Sequence, residues 1–341
     1  MTLLRDAYDT LLLDLDGTLY KGPDAIPGAA QALASLPQRL IYVTNNASRS
    51  PLDVAKHLDE LGFVADEDAV VASSQAAARV LAERLDAGSA VLVIGTDALA
   101  AEIELVGLRP VRTADEKPVA VVQGHSTATA WPNLAEACLA IRAGAIWVAS
   151  NADTTLPTER GLAPGNGSMV AALRAATDQE PVIAGKPYVP IMEDALRRSG
   201  SRVALVIGDR MDTDIAGANA VGLDSLLVLT GVSTVDNLLR AKPEQRPTFV
   251  SFALDSLSSP VASSDTEWRA EFDGTDIVLS GSGDPISALT AAAAVAWANP
   301  GFGTVQAKGD AAGRAVRVWN ESFERVTDGA VASRASRTEI R

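Results

Sequence analysis

Short apolar runs alternate with helix-length amphipathic stretches along most of the 341 residues, and few folds accommodate that rhythm. LLLDLD begins at Leu11 and is followed by the helical stretch AAQALASLP, then RLIYVTNN, then the helical PLDVAKHLDELG. Further along come AVLVIGTD, VAVVQG, AIWVASN, VALVIGD and DSLLVLTG. The alternation predicts an α/β fold: a parallel sheet covered by helices, with functional residues at the C-terminal ends of its strands. Four of these runs end in polar clusters, at Asp14 and Asp16, Thr44 to Asn46, Asn151 to Thr155, and Asp209 to Asp214.

The first cluster poses a physical problem. Residues two apart on a strand point to the same face, so Asp14 and Asp16 in LLLDLDGTLYKG would converge. Two converging carboxylates repel unless a cation or a proton is shared. Gly17 and Thr18 permit the tight turn that follows. A formal net charge of −14 argues against nucleic acid as a partner. It leaves small anions open, because one lysine or metal ion reverses the sign inside a cleft. With two histidines, His57 and His125, and one cysteine, Cys138, no multi-histidine zinc site or internal disulfide can form. A resident metal would therefore be a hard, oxygen-liganded ion. Cys138 reads as a small buried apolar residue in LAEACLAIRAG. The start, MTLLRDAYDT, lacks the pattern of a signal peptide, and the apolar run Leu289–Ala298 is too short to span a bilayer. The expected location is the cytoplasm. Ser50 and Pro51 in SRSPLDV mark a helix start close behind TNN, where a phosphate could sit on free N–H groups.

DLDGTLY, from Asp14 to Tyr20, resembles the DxDGT signature of the haloacid dehalogenase-like superfamily. TNN at Thr44–Asn46, the lysine of AGKP at Lys186, and GDRMDTD with Asp209 and Asp214 resemble its other motifs, in the expected order. Each piece alone has a plainer reading, as a helix cap, a turn or a surface lysine. The resemblance implies phosphoryl transfer, with Asp14 as nucleophile and Asp16 as general acid and base. It implies Mg²⁺ held by Asp14, the backbone carbonyl of Asp16, and Asp209, with Asp214 orienting that shell. Thr44, Asn45 and Asn46 would bind the phosphoryl group, and Lys186 would screen it and the nucleophile. Dehalogenases of the superfamily lack the second acid, so Asp16 favours phosphate chemistry.

Between Asn46 and Lys186 lie 139 residues, far more than one crossover needs. An inserted α/β cap is expected over 76–181, leaving a Rossmann-like parallel-sheet core at 1–75 and 182–254. A cap there resembles the NagD-like branch, as do LYKGPDAIPGA, TNNASRSP, SNADTTLPTERGLAPGNGSMVAAL and GDRMDTDIAGANAVGLDSLLVLTGV. The stretch Asn151–Met169 within this region reads as a long turn-rich loop. Where that branch often has an Asp and a Tyr, GHSTATAW places Ser126 and Trp131, and Trp131 reads as a packing residue. Beyond Val250 a linker is expected over 255–264 and a small α+β extension over 265–341. Its elements read as strands at Glu267–Glu271, Thr275–Leu279 and Arg314–Trp319, around a helix at Pro285–Trp297. With so few residues, its apolar side chains should need the core or a second subunit, so a homodimer is open.

Taken whole, the chain most resembles glycerol-3-phosphate phosphatases whose extension is likened to part of an acetyltransferase fold. GFGTVQ and KGDAAGR match the acetyl-CoA-binding glycine pattern poorly, so a structural role is expected for the extension. The resemblance implies an Mg²⁺-dependent phosphomonoesterase for a small phosphorylated metabolite, with glycerol 3-phosphate first. Phosphoglycolate, pyridoxal phosphate or a sugar phosphate are the alternatives, and from another class a non-catalytic phosphate sensor.

Overall fold

The computed structural model describes residues 3–34, 36–158, 160–260 and 267–321. The chain forms two compact units, residues 1–40 with 202–341, and residues 41–201. The second holds the whole segment expected as the cap, together with 41–75 and 182–201.

In the first unit the strand Thr10–Leu13 runs parallel to Ala204–Gly208. Asp224–Val228 and Phe249–Ser251 extend the same parallel array outward. Leu11, Leu12 and Leu13 are buried, as a central strand covered on both faces requires. Leu13 stands opposite Ile207, and the Asp14 N–H donates to the Ile207 carbonyl at 2.8 Å. This register delivers Asp14 and Asp209 to the same strand ends. The strand stops at Leu13, so Asp14 and Asp16 lie in the following loop, with Leu15 buried between them.

The C-terminal extension belongs to this unit. Arg269–Phe272 pairs antiparallel with Ile277–Ser280, which pairs parallel with Val305–Lys308. The helix Pro285–Ala298 and a second helix over 310–321 accompany that sheet. Leu279, Ala288, Leu289, Ala292 and Trp319 share one apolar core with Met211, Ile215, Leu227, Leu238 and Leu239. The part of the unit that precedes residue 254 therefore supplies the surface that the extension needs. Three details correct the sequence reading. Residues 314–319 are helical, because Ala312, Ala315, Val316 and Trp319 follow a helical period into that core, and RAVRVW alone fits either period. The expected linker begins as a packed turn, Leu254–Ser258, with Leu257 buried, while 261–264 lie outside the described residues. Phe272, one of the extension's apolar side chains and so expected to need cover, is exposed.

In the second unit Tyr42, Val43 and Thr44 of the strand Arg39–Thr44 pair parallel with Val70–Ala72, placing Thr44 opposite Ala72 at the strand ends. The helix Pro51–Glu60 starts as expected, with Ser50 Oγ accepting from the Asp53 N–H at 3.1 Å. A separate five-stranded parallel sheet has the order Val182–Ile183, Ile146–Ala149, Ala120–Gln123, Ala90–Ile94, Arg109–Val111. Leu173 and Val170 of the helix Asn166–Thr177 and Ala137 and Ile141 of Trp131–Arg142 pack on it. Trp131 is 78% exposed, which overturns its reading as a packing residue: it sits at the first turn of a helix whose inward face is carried by Ala137, Ala140 and Ile141. Cys138 is half-buried rather than fully buried. Within Asn151–Met169, read as a long loop, Thr155–Thr158 and Gly161–Pro164 form an antiparallel hairpin.

Asp194, on the helix Val189–Ser199, is fully buried, with Oδ1 2.8 Å from an Arg79 guanidinium nitrogen and 3.4 Å from Arg198 Nε. Truncating it strands cations against the neighbouring helices. Asp194→Ala is expected to cost about 3 kcal/mol in urea unfolding, the low end for a broken buried pair because both arginines keep some solvent. A loss under about 0.5 kcal/mol would show that solvent already supports them.

Candidate active site

An acidic group occupies the first unit. Asp14, Asp209 and Asp214 each place a carboxylate oxygen within 4.8 Å of the other two. Asp209 follows the strand Ala204–Gly208 and is fully buried. Its Oδ2 accepts from the Val232 N–H at 2.5 Å, and its Oδ1 accepts no hydrogen bond among the described residues. A buried anionic oxygen without a donor is costly unless a proton or cation meets it. Burial, then the Asp14 and Asp214 carboxylates, push the Asp209 carboxyl well above the ordinary range. This donor set, hard oxygens crowded at one strand end, fits a magnesium-type ion.

Local structure enforces the crowding. Gly17, at φ +91°, has its missing side chain aimed at Asp209: an added Cβ would lie 2.5 Å from Oδ2. At Gly231 the same construction falls still closer to that oxygen. Thr230 Oγ1 donates to the Gly17 carbonyl at 2.6 Å, which ties the two turns together. After Asp209 the chain makes a π-turn, Met211–Ile215, and the Arg210 N–H donates to Asp214 Oδ2 at 3.1 Å. Asp214 is thereby held against Gly208, where a Cβ would meet it at 2.3 Å. Asp16 stands outside the three-carboxylate cluster and is exposed. Loss of water around it, then the Asp14 charge, raise its carboxyl above the usual carboxylate range.

A polar group occupies the second unit. Thr44 is buried at its strand end, and its Oγ1 accepts from the Asn46 N–H at 3.1 Å. Lys186 is 4% exposed, and its Nζ donates to the Val43 carbonyl at 3.0 Å. The Asn45 amide nitrogen donates to the Lys186 carbonyl at 3.0 Å and to Asp153 Oδ2 at 3.2 Å, so both protons are committed. The Asn45 side chain thus braces Lys186 and Asp153. Asn46 is exposed and its Oδ1 accepts from the Ser48 N–H at 2.8 Å, shaping the turn.

Further contributors join these residues, of which Asn151 belongs to a polar strand end read from the sequence while Ser73, Thr230, Gly231 and Val232 were not singled out there. Ser73 Oγ and Asn151 Nδ2 both donate to the Asn45 carbonyl, at 2.6 and 2.7 Å. Thr230, Gly231 and the Val232 N–H close on Gly17 and Asp209. The one available signal was DSLLVLTG, a further strand that ends in a polar turn.

The haloacid dehalogenase-like hydrolase family model matches residues 11–109, and a second model of that kind matches 183–258. The chain belongs to the haloacid dehalogenase-like hydrolases. A GCN5-related N-acetyltransferase-like domain model matches residues 266–320. D-glycerol 3-phosphate phosphatase of Mycobacterium tuberculosis is 51% identical over 288 residues, covering 83% of this chain and 82% of that protein. A 5′-nucleotidase of Bacillus subtilis is 39% identical over 76% of this chain and 97% of its own length. The crystal structure of glycerol phosphate phosphatase from Mycobacterium tuberculosis with magnesium superposes with a TM-score of 0.89. Identity there is 48%, over 94% of this chain and 99% of that one.

Proposed function

We propose that this chain is an Mg²⁺-dependent phosphomonoesterase that hydrolyses glycerol 3-phosphate to glycerol and phosphate. The observation that carries the reading is the Asp14–Asp209–Asp214 cluster, in which Asp209 and Asp214 are buried and one Asp209 oxygen has no donor among the described residues. Asp14, Asp209 and the Asp16 carbonyl are the ligands we assign to the ion, with Asp214 orienting them. When bound, the ion offsets the negative charge of phosphate and carboxylates together.

Asp14 attacks phosphorus, the bond to the glycerol oxygen breaks, and Asp16 gives its proton to that oxygen. Water then attacks the aspartyl-phosphate while Asp16 takes its proton, which restores Asp14. Protonation of Asp16 at the outset is supported by the raised affinity of its carboxyl for a proton. Thr44 and Lys186 receive the phosphoryl oxygens. We assign residues 76–181 to a cap that reads the leaving alcohol, and the cytoplasm as the location. No helix among the described residues is long and apolar enough to cross a membrane. A homodimer stays open, although the extension buries its main apolar residues within the chain.

Phosphate release from a panel of small phosphomonoesters, with and without Mg²⁺, tests this. Glycerol 3-phosphate should give the highest kcat/KM, and excess chelator should abolish release. A preference for a nucleotide, phosphoglycolate, pyridoxal phosphate or a sugar phosphate would replace the substrate. Binding without release from any of them would make the chain a sensor. Asp209→Ala should raise the Mg²⁺ concentration for half-activity by at least about tenfold, since one charged ligand is lost. An unchanged Mg²⁺ requirement would remove Asp209 from the ligand set.

A further inference from the structure

Asn45 grips the backbone of Lys186 from both sides. Its Oδ1 accepts from the Lys186 N–H at 2.8 Å, while its Nδ2 donates to the Lys186 carbonyl at 3.0 Å. The other end of the lysine is tied two residues upstream of Asn45, where Nζ donates to the Val43 carbonyl. One strand end thus fixes both the root and the tip of a long side chain that would otherwise sample many rotamers. Gly185 makes the close approach feasible, because a Cβ there would lie 2.6 Å from Asn45 Oδ1 and 2.6 Å from the Ser150 carbonyl.

The same amide reaches a second element. Asn45 Nδ2 also donates to Asp153 Oδ2 at 3.2 Å, and the Asn45 carbonyl accepts from Asn151 Nδ2. Asn166 Nδ2, at the start of the helix Asn166–Thr177, donates to the Asn151 carbonyl at 2.7 Å. Three amides, Asn166, Asn151 and Asn45, therefore run in series toward Lys186, each donating to the chain ahead of it.

We propose that the Asn45 carboxamide is a positioning residue: it holds Lys186 where its ammonium meets phosphate, and it contributes to phosphate affinity through that lysine alone. The inference rests on the reading of Lys186 as a phosphate-binding group. It assigns Asn45 no direct contact with substrate, since its two amide protons are already donated.

A double-mutant cycle separates the two roles. Inorganic phosphate is titrated, in the presence of Mg²⁺, into wild type, Asn45→Ala, Lys186→Ala and the double variant, and kcat/KM is measured beside it. Asn45→Ala should weaken phosphate by at least about tenfold and lower kcat/KM by about 100-fold, the scale of a misplaced catalytic group. On the Lys186→Ala background the same change should add less than about twofold, since the residue it positions is gone. Gly185→Ala, which keeps both side chains but wedges them apart, should show the same dependence and serves if Asn45→Ala does not fold. Losses that multiply across the two backgrounds, or wild-type phosphate affinity in Asn45→Ala, would overturn the assignment. So would a wild-type protein that binds no phosphate. A wild type that binds phosphate and turns nothing over would sink the phosphatase reading, and the cycle in phosphate affinity alone would then decide the role of Asn45.

Discussion

Asp14→Asn protein folds like the wild type and releases phosphate at least about 10⁴-fold more slowly, on the scale seen when a nucleophile is removed. The amide keeps the shape of the side chain and its neighbours, including Thr18 Oγ1 at 3.4 Å from Asp14 Oδ2. It loses the anionic oxygen that attacks phosphorus, so no covalent route remains. Stability should move the other way in chelator. Asp14 is one of two carboxylates that oppose ionisation of Asp209, and neutralising it relieves that repulsion. The checks are steady-state phosphate release and thermal unfolding in chelator. Turnover within tenfold of wild type would exclude Asp14 as nucleophile whatever else the site contains.

A chain ended at Ser259 is expected to be insoluble or to unfold at least about 10 °C lower, although no assigned catalytic residue lies beyond Asp214. Removing 260–341 uncovers Leu238, Leu239 and Leu227, which share their core with Leu279, Leu289 and Trp319. Restoring each large side chain to water costs about 1.5–3 kcal/mol, and a handful of them rivals the net stability of a whole domain. Two arginines are also unmoored. Arg240 stacks 4.5 Å over the Phe302 ring and donates to the Phe302 and Gly303 carbonyls, and Arg246 lies 5.3 Å from the Trp297 ring. Because Met211 and Ile215 of the turn after Asp209 belong to the same core, the shortened protein should also hold Mg²⁺ more weakly. A soluble monomer ending at Ser259 with wild-type Tm and kcat/KM would refute this.

The parallel core was legible because LLLDLD, VALVIGD and DSLLVLTG are apolar on both faces, a demand made by few other environments. Asp14, Asp209 and Asp214 were legible as a group through the resemblance of their motifs to those of the superfamily, while the residues alone marked polar ends on buried strands. The hydrogen-bond partners of Asn45 were not legible, since a carboxamide donates equally well to a ligand or to a peptide group. Only the position of Lys186, 141 residues away in sequence, decides between them. Nor could RAVRVW reveal its helix, because six residues fit two periods and the deciding contacts come from residues 211–297. Trp131 misled for the opposite reason: a large apolar residue is ordinarily inside, and nothing local marks this one as exposed.

Gly17 and Gly231 close on the Asp209 carboxylate from two turns, so bulk rather than charge sets how far this corner can drift. A methyl group at either position would claim space held by the carboxylate, and a glutamate at 209 would need the same space for its extra methylene. Neither fault is repaired by a change elsewhere in the triplet, because the smallest residue and the shortest acid are already in place. Selection therefore meets a corner with no neutral neighbours. A library that randomises 17, 209 and 231 one at a time, screened for Mg²⁺-dependent activity, should return only the starting residue at each.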